Sequence, residues 1–256
     1  QKYEEAIYFD SRCTPAYLKY ADIYKSANAG LAIEKLNQLK TLEPSNTAID
    51  KKLAEIYYLK NDFSKAADAY SRFAMGPTAN EEDLVKYAFA LFLNHDFAKS
   101  LEVANMGLKK NPRHAAFNRL AMYNNTDLKR FEEALKAADV FFNECDKADY
   151  SYLDYMYYGH LLEELKKYDE AVGQYEKAVE LDPTKTDLYK NISSVYEQKN
   201  DYKKAIGAYH KYYSSLEKEK QTPDLQFQLG RLYYGAGTQP DSLTINVEER
   251  KQALMS

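Results

Sequence analysis

Five aromatic residues, Phe63, Phe97, Phe131, Tyr168 and Tyr202, stand 34, 34, 37 and 34 positions apart, and each is followed three residues later by a small one: Ala66, Ser100, Ala134, Ala171 and Ala205. A fixed period constrains a chain more than its composition does, because whatever one period folds into must be repeated and stacked by the next. The clearest period is 152–185. Tyr155, Tyr158, Gly159 and Leu162 fall on one helical face, and after Lys166 and Lys167 a second face follows, made by Tyr168, Ala171, Tyr175 and Ala178. Leu181-Asp182-Pro183 closes the unit. Proline has no backbone donor and disfavours helix in the residue before it, so it ends the second helix and turns the chain into the next period. Pro44 and Pro112 repeat that stop.

A helix-turn-helix of about 34 residues with small residues at the helix crossing and a closing proline resembles the tetratricopeptide repeat family. The resemblance runs through nearly the whole chain and implies an all-α, right-handed α-solenoid of tandem helical hairpins. The small residue of the first helix is Ala21, Ala54, Ala88, Gly159, Ser193 and Gly230, but the unit from 115 has Met122 at that place. That unit also has Asn125 where others carry Tyr57, Leu91, Leu162 or Tyr196, and Ala138 where Tyr70 or Tyr175 would stand, so its first helix is expected to pack less regularly. The expected repeats are 14–46, 47–80, 81–114, 115–151, 152–185 and 186–222. Residues 1–13 read as the end of an earlier repeat, and 223–256 as a partial C-terminal one. Extra residues fall most simply in Cys145–Ser151 and Ser215–Thr222, and Glu217–Lys220 reads as an exposed helix end. Gly235 to Asp241 reads as a loop and Glu248 to Met255 as the start of a helix. Neither end supplies a polar cap, so the chain is expected to be a fragment of a longer protein whose uncapped ends fray or self-associate.

Composition agrees with long helices: 45% of residues are apolar, 29% charged, and only 9 Gly and 7 Pro are available for turns. The 25 Tyr, with no Trp, suit thin layers in which a ring is buried while its hydroxyl reaches solvent. Net charge is −4 with Lys and Arg scattered, which leaves no footprint for a phosphate backbone, and nucleic acid is not an expected partner. No apolar run is long enough to span a bilayer, so this stretch inserts in no membrane. Cys13 and Cys145 match no metal or redox spacing and leave the compartment open: cytoplasmic, or periplasmic or extracellular if a signal peptide was removed.

A single 34-residue unit cannot fold alone, because ordering it costs about 50 kcal/mol at roughly 1.5 kcal/mol per residue and its apolar stripe has nothing to bury against. Stacking supplies that wall, and the family resemblance implies that the first helices line the concave side. The family resemblance implies that this concave face holds extended peptides or helices. Its inward positions lie two, five, nine and twelve residues into each unit, and the expected partner-binding residues there are Tyr58, Phe89, Phe92, Arg119, Tyr123, Met156 and His160. Contiguous exposed apolar surface marks a partner site. The alternative is that these side chains pack against neighbouring helices. Relatives that bind acidic chaperone tails hold carboxylates with inward Lys, Asn and Arg across three repeats; here only Lys190, Asn191 and Arg231 approach that pattern, which is incomplete.

The titratable residues form no catalytic constellation. His95, His114, His160 and His210 share no repeat position or metal spacing, and His160 with Glu163 and Glu164 lacks a third zinc ligand. No phosphate-cradling loop or nucleophile elbow is present, and no enzyme activity, cofactor or metal is expected. Two functions remain: a protein-binding scaffold, free-standing or tethered, or the recognition arm of a larger enzyme or signalling protein, as in relatives joined to glycosyltransferase or kinase domains.

Overall fold

The computed structural model describes residues 2–76, 78–145 and 149–237. Among these there are α-helices, two short helical turns and no strand. The chain divides into two compact units, Gln1–Lys147 and Ala148–Ser256. The first holds α1 (Lys2–Phe9), α2 (Thr14–Ala27), α3 (Ala29–Leu42), α4 (Thr47–Leu59), α5 (Phe63–Phe73), α6 (Glu81–Leu93), α7 (Phe97–Lys110), α8 (Ala115–Asp127) and α9 (Phe131–Asp139), with a π-helical segment Val140–Glu144. The second holds α10 (Tyr152–Glu164), α11 (Tyr168–Leu181), α12 (Leu188–Gln198), α13 (Tyr202–Ser215) and α14 (Pro223–Gly237), with a 3-10 turn Lys218–Lys220 before α14. Within each unit a helix packs on its successor as a hairpin, and α2 with α4 and α6 with α8 also touch directly.

The periodic aromatics open the second helix of every hairpin after the first, whose α3 opens on Ala29, and the chain reaches them through one repeated turn. Asn61, His95, Lys129, Lys166 and Asn200 have φ between 58° and 61°, the left-handed region. The next amide, of Asp62, Asp96, Arg130, Lys167 or Asp201, donates to the carbonyl five residues back, at Tyr57, Leu91, Asn125, Leu162 or Tyr196. This is the six-to-one bond of a Schellman stop, and the residue that makes it also caps the next helix, by its side chain in Asp62, Asp96 and Asp201. None of the five left-handed residues is glycine. Lys166→Gly should therefore stabilise the protein: relief of about 1–2 kcal/mol of left-handed strain exceeds glycine's extra entropy of roughly 0.5–1 kcal/mol. Asn61→Gly should change little, because asparagine tolerates this region. Urea midpoints check both, and a lower midpoint for Lys166→Gly would contradict the assignment.

Between hairpins the stop is a proline turn. The amides of Asn46, His114 and Lys185 donate to the carbonyls of Glu43, Asn111 and Asp182, with Pro44, Pro112 and Pro183 at the second turn position. Where helices of a hairpin cross, Ala21, Ala54, Ala66, Ala88, Ser100, Ala134, Ala171 and Ala205 are all fully buried. Two crossings carry a serine on opposite partners: Ser100 Oγ donates to the Ala88 carbonyl at 2.8 Å, and Ser193 Oγ to the Ala205 carbonyl at 2.8 Å. A small side chain lets the backbones approach, and the hydroxyl is satisfied by the facing backbone.

The fourth hairpin departs from expectation. Its first helix, α8, runs unbroken, with Phe117, Leu120 and Met122 fully buried. A Cβ on Gly159 would lie 2.8 Å from the Tyr175 ring in the fifth hairpin, whereas Met122 and Ala138 occupy the equivalent places in the fourth. Large and small partners have changed sides, which conserves volume and keeps the first helix regular. The irregularity sits in the second helix instead, where α9 gives way to the π-helical segment, with Phe141 buried and the Arg119 guanidinium 5.1 Å from its ring centroid. At the C-terminal end α14 continues through Gly237, so Gly235–Gly237 is helical rather than loop; Leu232, Tyr233 and Ala236 are buried and anchor that last turn. The rest of the expected loop and the helix expected from Glu248 to Met255 lie outside the described residues.

Candidate functional site

In the first unit, a groove of about 500 Å³ opens on the first-helix side, lined by Lys25 of α2, Glu55, Tyr58 and Leu59 of α4, Lys86 and Phe89 of α6, and Tyr70 of α5. Its floor comes from the second helix of a hairpin. Tyr70 is buried between the first helices, and burial pushes its phenol well above the ordinary range, with the Glu55 charge adding to the effect. Tyr58 is half-buried and raised by burial as well, with the Lys86 charge opposing. Leu59 is 59% exposed at the rim. Apolar carbon thus forms the floor and one wall, while charge is confined to the edges.

Those edge charges are organised along the helices. Lys52 Nζ bridges Asp22 Oδ1 at 2.8 Å and Glu55 Oε2 at 2.9 Å, tying α2 to α4. Burial pulls the Lys52 ammonium down, but its two carboxylate hydrogen bonds hold it above the ordinary lysine value. Lys86 pairs with Glu82 one turn earlier at 2.6 Å, and that hydrogen bond raises it. The Lys86–Glu82 pair is exposed, so it contributes little stability and exchanges readily for a ligand's charges.

The other expected site residues take different positions. Phe92 is half-buried, its ring 5.4 Å from Tyr123 and 5.7 Å from Phe97. Tyr123 is only 2% exposed, so it belongs to the core rather than to an open wall; the alternative packing reading holds for this residue. Arg119 spans α8 and Phe141. Met156 and His160 lie on α10 in the second unit, Met156 half-buried against the α10–α13 core and His160 exposed. The structure therefore brings Tyr58 and Phe89 together in one groove, buries Tyr123, and leaves Met156 and His160 on a separate body.

The second unit has its own cleft, of about 270 Å³, between α12 and α14 over α13. Lys190, Ser193, Ser194 and Glu197 of α12 face Leu225, Gln228, Arg231 and Leu232 of α14, and Tyr209 of α13 lies beneath. Beside it Phe227 and Tyr234 are 71% and 64% exposed on α14. They occupy the fifth and twelfth positions of their unit, so the inward-position rule could have found them had it been applied to the last helix. The floor residues Tyr70 and Tyr209 have no such signal, since they belong to second helices. Among the described residues no cluster of His, Cys, Asp and Glu could hold a metal ion, and no helix is long and apolar enough to cross a membrane.

Residues 153–185 match the tetratricopeptide repeat family model, the stretch in which Gly159 and Tyr175 interlock. The chain carries a tetratricopeptide repeat. Its helical hairpins make an all-α superhelical repeat fold, shared with solved structures across most of the chain. The C-terminal part of a tetratricopeptide-repeat protein from Cytophaga hutchinsonii is 16% identical with a TM-score of 0.68, covering 93% of each chain. MamA from Desulfovibrio magneticus is 18% identical with a TM-score of 0.58, covering 69% of this chain and 97% of that one. A chain of the APC/C hetero-tetramer Cut9–Hcn1 is 13% identical with a TM-score of 0.64, covering 89% of this chain and 44% of that one. At these identities the likeness is one of fold. No curated protein matches the sequence.

Proposed function

We propose that this tetratricopeptide-repeat protein is a non-catalytic interaction scaffold that holds a peptide segment on its first-helix face, with a large apolar side chain of the ligand seated in the groove between α4 and α6. The supporting observation is the groove itself: an open apolar floor of Tyr58, Tyr70 and Phe89 with lysines at its edges, on a face that the stacking of second helices does not cover. Exposed aromatic residues in a concave site are the usual anchors of binding energy. One protein of this fold is described as a hetero-tetramer, Cut9–Hcn1, which supports a role in assembly.

Selection from a displayed library of random peptides against the full chain tests the reading. Recovered peptides should share one large apolar residue and bind with modest affinity, because an open groove must order a flexible ligand. Phe89→Ala should weaken them about tenfold or more, a loss of about 1.4 kcal/mol. Leu59→Glu provides the second variant: it places a charge at an exposed rim position, so binding should fall while the unfolding midpoint stays unchanged. Peptides that bind both variants as tightly as the parent would remove the groove from consideration.

A further inference from the structure

The groove between α4 and α6 holds one polar atom that the fold leaves unused. Tyr70 is 1% exposed and forms the floor. Its hydroxyl makes no hydrogen bond among the described residues, yet it is not one of the sealed polar atoms of the core, so it opens on the groove. The equivalent tyrosine of the fifth hairpin is satisfied within the protein: Tyr175 donates to Glu163 Oε2 at 2.9 Å. Glu163 lies twelve residues before Tyr175, and twelve residues before Tyr70 the chain has Tyr58. An aromatic ring has replaced the carboxylate, which removes the acceptor and adds an apolar wall.

Charge and shape then restrict the guest. Burial raises the Tyr70 phenol, and Glu55, Tyr58, Asp83 and Glu82 raise it further, so the potential at the hydroxyl is negative and opposes an anion. Lys25 and Lys86 stand at the edges and oppose a cation. A neutral group is favoured over either charge, and beside those carboxylates a donor to the Tyr70 oxygen is favoured over an acceptor. The Tyr58 ring packs on Phe63 at 5.5 Å, and the Tyr70 ring on Phe73 and Tyr87 at 5.5 and 6.4 Å. Among the described residues none of the three groove rings, Tyr58, Tyr70 and Phe89, packs on another, so the space between them is open to a flat guest.

We propose that the apolar side chain seated in this groove is a tryptophan of the partner peptide, its indole N–H donating to the Tyr70 hydroxyl oxygen between the rings of Tyr58 and Phe89. The inference rests on the reading of the groove as the peptide site and names the side chain it selects. Indole is large and flat and carries a donor with no acceptor. Its face is also the best aromatic surface for the ammonium groups of Lys25 and Lys86. A tyrosine guest would turn oxygen lone pairs toward Glu55. Phenylalanine or leucine would take water from the Tyr70 hydroxyl and give it no partner, which costs affinity.

NMR titration of the full chain tests the proposal with the N-acetyl amides of tryptophan, benzothienylalanine, tyrosine and arginine. Benzothienylalanine keeps the size and shape of tryptophan but has sulfur in place of the N–H. Tryptophan should shift amides of 55–59 and 86–89, and benzothienylalanine should bind there about fivefold more weakly, the loss of one neutral hydrogen bond. Tyr70→Phe should weaken tryptophan by the same factor and erase the difference between the two probes. It should leave the urea midpoint unchanged, whereas Tyr175→Phe, which loses the bond to Glu163, should lower it. Benzothienylalanine binding as tightly as tryptophan at these amides, or tighter binding of tyrosine or arginine, would overturn the indole while the groove reading stands. A lowered midpoint for Tyr70→Phe would also overturn it, by showing that the hydroxyl is spent within the fold. No shift at these amides with any probe would remove the groove and this proposal together.

Discussion

Gly107→Ala is expected to destabilise the protein by about 2–3 kcal/mol, although alanine is the better helix former. On propensity alone the change inside α7 would stabilise by about 1 kcal/mol. The geometry reverses the sign. A Cβ on Gly107 would lie 2.1, 2.3 and 2.4 Å from three ring atoms of Phe117, which is itself fully buried and has no room to withdraw. Overpacking of this kind costs about 1–3 kcal/mol or more and here outweighs the propensity gain. Gly173 in α11 and Gly207 in α13 are the controls, because a Cβ there meets nothing within 4 Å. Gly173→Ala and Gly207→Ala should raise stability by up to about 1 kcal/mol each. Phe117→Leu should recover part of the loss when combined with Gly107→Ala. Chemical denaturation of the four variants reads the comparison, and a stabilised Gly107→Ala would mean that α7 and α8 are not packed through this contact.

A second large effect is expected at Asp50. This carboxylate is 1% exposed in α4 and held by Lys40 of α3 at 2.5 Å and Arg72 of α5 at 2.8 Å, so three consecutive helices meet on one buried charge. Removing one cation leaves the other, and Lys40→Ala or Arg72→Ala should each cost about 1–2 kcal/mol. Removing both strands a buried anion, and the double variant should lose about 3–5 kcal/mol, more than the sum of modest single effects. A double-mutant cycle by urea denaturation measures that excess. Strict additivity would show that Asp50 gains water or a new partner when its cations are gone. A lesser link of the same kind joins the next pair of hairpins, where Lys51 reaches Asp83 at 2.8 Å.

How much of this could be read from the sequence depends on whether a feature repeats. The aromatics at Phe63, Phe97, Phe131, Tyr168 and Tyr202 were legible because each opens a second helix behind the same turn, so one geometric requirement recurs five times. The left-handed residue of that turn was not, because Asn, His and Lys fill it and no glycine marks it. Met122 drew attention as a break in the pattern, but its compensation by Ala138 is a property of the pair and not of either position. Side-chain exposure was the least legible quantity. Tyr58 and Tyr123 were both expected on the inward face, yet Tyr58 lines an open groove while Tyr123 is covered by its neighbours. The floors of both cavities come from second helices, at Tyr70 and Tyr209, and a rule written for first helices passes over them.

Photo-crosslinking tests the central claim, that the first-helix face is the binding surface, most directly. A peptide recovered by selection, carrying a benzophenone in place of its conserved apolar side chain, would be irradiated with the full chain and the adducts mapped by mass spectrometry. The competing surface is the shallow depression on α7 around Glu102, Asn105 and Met106, which lies on a second helix. Adducts on Tyr58, Leu59 or Phe89, abolished by excess unlabelled peptide, are the predicted result. Adducts confined to Glu102, Asn105 and Met106, with α4 and α6 unlabelled, would contradict it.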